Sequence, residues 1–344
     1  MRFAAAWLLA VAPLAAQETP VFHTGTTLAL VRFHVVQKGR YVEGLKREDV
    51  VLLDNGAPRP FTVFESAVSG RRTVPVELSV VFDTSGSVMN EGLLDPVVFK
   101  AGILDGLDNV RIAVYGFSNK LRRYCPLTRD YGTLRAALEA LRDRGRAVTV
   151  DIPIALPPKR KSDPRGGTWI YEAVIGAAKD VATEPVAASR IMLIFSDGFG
   201  TTTSTPEDAA KICEEMGVTV NPVVLGHSKL LDQMRNQQEK ESARSSKTPS
   251  AIPSDAAERM NEKQMEIEHF GSLGRLTGGH AFDPPQMDLT ILRRILEGLV
   301  GEVRTEYVVG FTPDADVEGK RHKLEVRLRD KSVGQMVGGT RVIR

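Results

Sequence analysis

The 344-residue sequence has two cysteines, Cys125 and Cys213, too few for a disulfide scaffold. Neither has a second cysteine within CxxC reach, so no zinc site is signalled. Cys213 lies in the helical pattern AAKICEEMG, and burial as free thiols is the expectation for both, with a bridge between them as the alternative in an exported protein. An excess of one charge is also missing: 45 Lys+Arg against 43 Asp+Glu leave +2, which points to neither nucleic acid nor an anionic membrane as partner. No apolar run reaches the ~20 residues a membrane span needs. The metalloprotease motif HExxH and the hydrolase motif GxSxG are absent, and His23, His34, His227, His269, His280 and His322 show no metal-ligand spacing. With 42% hydrophobic and 26% charged residues, the chain is an ordinary folded protein, long enough for about two domains.

The N-terminus MRFAAAWLLAVAPLAAQETP carries one cation, Arg2, then an apolar run from Phe3 to Ala16. Small residues Ala15 and Ala16 precede polar Gln17 and Glu18. Residues 1–16 therefore read as a secretory signal peptide, which makes the mature protein secreted or otherwise extracytoplasmic, in the periplasm or at the cell surface.

Residues 20–72 read as a small β module. TLALVRFHVVQ is rich in β-branched residues, and DVVLLDNGAPRPFTVFES holds a hairpin signal at Asp54-Asn55-Gly56. Pro58 and Pro60 confine their segment to edge or turn positions. From residue 74 to 305 the pattern changes to near-continuous apolar strands, VPVELSVVFD, VRIAVYGF, SRIMLIFSDG and VTVNPVVLG, alternating with helices. A short YCPL segment is expected to join VRIAVYGF to the helix YGTLRAALEALRD. This is the pattern of an α/β fold, a doubly wound and mostly parallel sheet flanked by helices. Residues 228–265 interrupt it with a polar, Ser- and charge-rich stretch that reads as a solvated insertion, partly disordered. Residues 306–344 return to strands, EYVVGFTP and HKLEVRLRD, which are expected to rejoin the N-terminal module as a small β-sandwich-like unit.

One constellation carries chemistry. The strand VELSVVF ends in Asp83-Thr84-Ser85-Gly86-Ser87, and ligands of open α/β sheets bind beyond the carboxyl ends of strands. Asp83, Ser85 and Ser87 offer one carboxylate and two hydroxyls from one tight loop. Thr168 follows Gly166-Gly167 at a helix start, and Asp197 follows the strand IMLIF within Ser196-Asp197-Gly198. Alone, Thr168 is a plain N-cap and Asp197 an ordinary turn residue. Together the five are hard oxygen donors, suited to Mg²⁺, Mn²⁺ or Ca²⁺.

DTSGS, then GGT, then an apolar strand ending SDG resembles the metal-ion-dependent adhesion site of von Willebrand factor type A domains, with Rossmann-like architecture. The resemblance implies that Ser85 and Ser87 bind the metal directly, that Asp83 and Asp197 act directly or through water, and that Thr168 joins when a ligand is engaged. The flanks, GRYVEGLKREDVVLLDNGAPRPFTVFES, LGRLTGGHAFD and EYVVGFTPDADVEGKRHKLEVRLRD, are similar to those of the acidobacterial von Willebrand factor A-related family. The departures are the 228–265 insertion and the basic stretch PPKRKSDPRGG before Thr168. The implied function is non-enzymatic adhesion: a divalent metal held by two aspartates stays electrophilic and accepts an Asp or Glu from a protein partner. Lys159, Arg160, Lys161 and Arg165 are placed to steer such a partner, with a solvated loop as the plainer alternative.

Three rival readings fit the sequence less well. An aspartic peptidase would need a second D-T-G-like loop, and Ser85 already breaks the first. A serine hydrolase lacks its motif. A metal-independent scaffold would bind through the β module or the 228–265 insertion, but has no use for five converging oxygen donors.

Overall fold

The computed structural model describes residues 28–38, 40–66, 74–85, 91–143, 149–154, 167–183, 188–200, 203–226, 232, 236, 255–312 and 322–343. In chain order the strands are β1 (Ala29–Gln37), β2 (Arg40–Tyr41), β3 (Val50–Asp54), β4 (Ala57–Arg59), β5 (Val63–Ser66), β6 (Val76–Asp83), β7 (Val110–Phe117), β8 (Leu121–Thr128), β9 (Val150–Ile152), β10 (Ser189–Ser196), β11 (Val218–Val224), β12 (Tyr307–Phe311), β13 (His322–Leu328), β14 (Gln335–Gly338) and β15 (Thr340–Ile343). The helices are α1 (Pro96–Phe99), α2 (Tyr131–Arg142), α3 (Ile170–Val181), α4 (Pro206–Met216), α5 (Asp255–Thr277) and α6 (Leu289–Thr305).

The central sheet has the order β11-β10-β6-β7-β8-β9. β11, β10, β6 and β7 run parallel, while β8 and β9 add an antiparallel edge. Every residue of β6 and of β10 is buried, as expected for strands covered on both faces. One face packs on α2, α6 and the residues following α1, through Phe82, Phe99, Leu138 and Leu296. The other packs on α3, α4 and α5, through Val81, Val174, Met192, Cys213 and Phe270. Cys125 and Cys213 are free and buried in opposite faces.

Local chemistry sets the helix ends. Thr205 and Asp208 form a capping box at α4, Pro206 occupies its first turn, and Gly217 ends it with φ 68°. Asp288 caps α6 by accepting the Ile291 amide at 2.8 Å.

The two ends of the chain form a sandwich. One sheet has the order β14-β1-β12-β5, with β2 beside β1; the other has the order β15-β13-β3-β4. Phe33, Val35, Leu52, Tyr307, Leu324 and Val326 meet between them. Asn55 (φ 48°) and Gly56 (φ 85°) make the β3–β4 turn, whose two left-handed residues match strand twist. Pro58 sits on the exposed edge strand β4. Leu30, Val74 and Val308 seal the sandwich to the central sheet, and the Ser189 hydroxyl donates to Glu306 at 2.8 Å.

Two expectations are corrected. YCPL is no short connection: it lies inside the eight-residue β8, which pairs with β7 through register shifts near Val114. The bulge accommodates Pro126, which cannot donate to the ladder. The second correction concerns the polar insertion. α5 begins at Asp255, so residues 255–265 are helical, continuous with a second half that buries Ile267, Phe270 and Leu273.

Candidate functional site

The apolar sheet delivers the acidic residues to one edge. β6 and β10 are parallel neighbours with Phe82 opposite Phe195, so their next residues, Asp83 and Ser196, emerge together at the carboxyl end, and Asp197 follows. Asp83 is 2% exposed and Asp197 9% exposed. The Ser196 hydroxyl donates to Asp83 Oδ2 at 2.7 Å, and the Ser85 amide donates to Asp83 Oδ1 at 2.8 Å. Burial pushes the Asp83 carboxyl above its ordinary range, and the neighbouring charge of Asp197 pushes the same way, against the hydrogen bonds from Ser85 and Ser196. Asp197 Oδ1 accepts the Phe199 amide at 3.1 Å, and the Gly198 amide donates to Ser196 Oγ at 3.1 Å.

The third loop is held against the other two by main-chain contacts. The Thr84 amide donates to the Phe117 carbonyl at 2.7 Å, and the Trp169 amide to the Ser118 carbonyl at 2.9 Å. Both therefore lock onto the end of β7, the neighbour of β6. A Cβ on Gly200 would lie 2.7 Å from the Thr168 carbonyl oxygen, so the Asp197–Gly200 loop touches the Thr168 loop directly. Gly198 has φ 82°, and a Cβ there would lie 3.2 Å from Ile267 Cα, so α5 closes over the same loop. Such positions suit glycine alone.

Asp83, Ser85, Thr168 and Asp197 thus come from three adjoining loops at one edge of the sheet. Ser87 and the basic residues Lys159, Arg160, Lys161 and Arg165 lie outside the described residues, as do residues 1–16. Two supports were missed by sequence reasoning. Ser196 is a hydroxyl inside an otherwise apolar strand, and its place beside Asp197 was the available signal. Glu172 is 2% exposed on the apolar face of α3 and accepts the amides of Thr203 and Ser204 at 2.8 and 2.9 Å, which anchors the far side of the Asp197 loop. A separate cleft of about 230 Å³ lies near the amino ends of β10 and β11, against the sandwich, away from these loops.

The donor set fits a divalent cation. Two buried carboxylates stand near enough to feel each other's charge, Asp83 receives its hydrogen bonds from an amide and hydroxyls, and hydroxyl-bearing loops adjoin both. Among the described residues no group of three His, Cys, Asp or Glu stands at metal-binding spacing, so a cation held here would need hydroxyl oxygens among its ligands. Strand order, loop positions and residue types agree at this point. The arrangement resembles that of von Willebrand factor type A domains.

No family model matches the chain, and no curated protein does. Solved structures do. The conserved hypothetical protein BatB from Bacteroides thetaiotaomicron is 16% identical over 67% of this chain and 99% of its own, with TM-score 0.40. The ArnB paralog VWA2 from Sulfolobus acidocaldarius is 12% identical over 92% of this chain and 74% of its own, with TM-score 0.37. Proximal thread matrix protein 1 from the mussel byssus, with a zinc-occupied MIDAS motif, is 13% identical over 70% of this chain and 47% of its own, with TM-score 0.36. At such identities and scores these likenesses carry no further argument, and the resemblance rests on this chain's own strand order and loops. No helix among the described residues is long and apolar enough to cross a membrane.

Proposed function

We propose that the domain is an exported, non-enzymatic binding module that uses Mg²⁺, Mn²⁺ or Ca²⁺ at Asp83, Ser85, Ser87, Thr168 and Asp197 to take up an Asp or Glu side chain of a protein partner. The observation that carries this reading is the pairing of two buried aspartates at adjacent strand ends, with hydroxyl loops around them. Two like charges held out of water raise each other's cost, and a divalent cation between them would offset it. Two carboxylates neutralise such an ion without saturating it, because hydroxyls add no charge. When bound, the ion would supply an electrophilic position for a further anionic oxygen.

Binding is a better reading than catalysis. Ser85 folds back on Asp83 through its amide and hydroxyl, as a ligand-loop serine does. The described histidine–carboxylate contacts, His322–Asp54 at 2.8 Å and His280–Glu302 at 3.5 Å, lie in the sandwich and beside the amino-end cleft. Neither can activate Ser85.

The test uses the native tryptophan. Only Trp7 and Trp169 occur in the chain, Trp7 falls in the signal segment, and Trp169 adjoins Thr168. Titration of Mg²⁺ and Mn²⁺ into the mature protein should give a saturable change in Trp169 fluorescence and a rise in Tm, both lost in Asp83→Ala. That variant should stay folded, since Asp83 ends a strand whose core lies elsewhere. Folded wild-type protein with no response would favour the metal-independent scaffold, binding through the sandwich or the 228–265 segment.

A further inference from the structure

Among the described residues, the rim around the three loops is electrically asymmetric. On one side, the β7–β8 turn is tied to the Thr168 loop by the Trp169–Ser118 hydrogen bond of 2.9 Å. Lys120 and Arg122 stand there with side chains 60% and 39% exposed. They share Asp151 of β9, at 3.7 and 3.1 Å, so two cations face one exposed carboxylate.

On the other side, the first turn of α4 and the middle of α5 form an acidic wall with Glu207, Glu262 and Glu266. A cleft of about 310 Å³ runs beside the Asp197 loop, and its lining includes Ile170, Tyr171, Gly200, Glu207, Glu266 and His269. The groups there feel one another. Burial raises the Glu266 carboxyl, and so do the charges of Glu262 and Asp197, while Lys263 and His269 oppose them. Burial raises the Tyr171 hydroxyl, helped by Glu266, Glu207 and Glu172. Lys263 also stands over Phe199, its ammonium 5.4 Å from the ring centroid.

We propose that a partner segment crosses this face with one fixed polarity: acidic side chains flank its metal-seeking carboxylate on the Lys120–Arg122 side, and a lysine or arginine enters the cleft of Glu207 and Glu266. The inference rests on the metal-dependent reading above and specifies its ligand. A long basic side chain suits the cleft because its methylene stem can lie along Ile170 and Tyr171 while its head meets the carboxylates. An acid placed there would meet like charge in a partly desolvated site, which strongly disfavours the reversed orientation.

The experiment presents the full mature chain to immobilised poly-L-glutamate, poly-L-lysine and a glutamate–lysine copolymer, each in Mg²⁺ and in EDTA, with Asp83→Ala as reference. Two double variants at exposed positions complete it: Lys120→Glu with Arg122→Glu, and Glu207→Lys with Glu262→Lys. The expected result is Mg²⁺-dependent retention, strongest on the copolymer. The first double variant should weaken that retention tenfold or more. The second should transfer the preference to poly-L-glutamate. Wild-type protein that holds poly-L-glutamate as well as the copolymer, or Mg²⁺-dependent retention that neither double variant changes, would overturn the polarity while leaving the metal site in place. Retention equal in Mg²⁺ and EDTA, or unchanged in Asp83→Ala, would overturn both readings together.

Discussion

Ser196→Ala isolates the group that ties the two acidic strand ends together. Ser196 is fully buried, donates to Asp83 Oδ2 at 2.7 Å and accepts the Gly198 amide at 3.1 Å. A hydrogen bond to a charged acceptor contributes about 1.5–3 kcal/mol, and a buried amide left without its acceptor costs about 1–3 kcal/mol. The two losses share one hydroxyl and are not additive, so the expected destabilisation is about 2–4 kcal/mol. The molecule provides its own control. Ser79, on the same strand as Asp83 and 1% exposed, buries an Oγ that has no hydrogen-bond partner among the described residues. Ser79→Ala removes a desolvated hydroxyl that gains nothing from the fold, so it should be neutral or stabilising. Urea unfolding of the two variants, with unchanged m-values, reads the difference directly. Equal midpoints for Ser196→Ala and Ser79→Ala would refute the claim that the Asp83–Ser196 bond stabilises this edge. Ser196→Ala should also weaken the Mg²⁺ response, because Asp83 loses a bond that favours its charged form.

Three further outcomes follow from the same geometry. Gly200→Val places a Cβ 2.7 Å from the Thr168 carbonyl oxygen, so the Thr168 loop must move; the Mg²⁺-induced Trp169 signal should fall at least tenfold in affinity, and an unchanged signal would contradict the loop contact. Burial pushes the thiols of Cys125 and Cys213 up to about 11 and about 12, so both should resist a thiol reagent at pH 8 in the native protein and react together in denaturant. The Asp83 carboxyl is raised in the folded state, so the metal-free protein binds this proton more tightly than the unfolded chain and gains stability from it as the pH falls through the folded value. Protons and metal then compete for Asp83, and the Mg²⁺-induced rise in Tm should shrink as the pH is lowered from neutral; a shift that holds constant into the acid range would remove Asp83 from the ligand set.

Much of the architecture was legible because it depends on residue type at short range. The apolar runs of β6, β7, β10 and β11 need burial on both faces, and that requirement alone implies a helix-covered parallel sheet. Asn55-Gly56 forces its own turn. What stayed hidden depends on tertiary context. β8 reads LRRYCPLT, where Pro126 and two arginines look like a break, and only pairing with β7 on one side and β9 on the other makes it a strand. The first half of α5 is as polar as a solvated loop; it is helical because the second half is fixed by Ile267, Phe270 and Leu273. β14 and β15 hide in a glycine-rich tail, where Gly338 and Gly339, both with positive φ, turn the chain from one sheet of the sandwich to the other. Glu172 was invisible for the opposite reason: a charge in the middle of an apolar helix face looks like an interruption until the loop amides it accepts are in place.

The site's geometry is a by-product of sheet register. The pairs from Val76–Ser189 to Phe82–Phe195 are fixed by side chains buried on both faces, and a slip would carry many of them out of their packing. That register leaves Asp83 and Ser196 side by side whether or not anything binds there. The cost of the arrangement is local, because the raised Asp83 carboxyl stands on the last residue of β6 and the neighbouring Asp197 charge follows the last residue of β10. A fold organised in this way keeps its sheet when the acidic edge is altered, which is why Asp83→Ala should separate metal response from folding. The dependence runs one way: the core determines where the carboxylates stand, and the carboxylates determine only what the edge can hold.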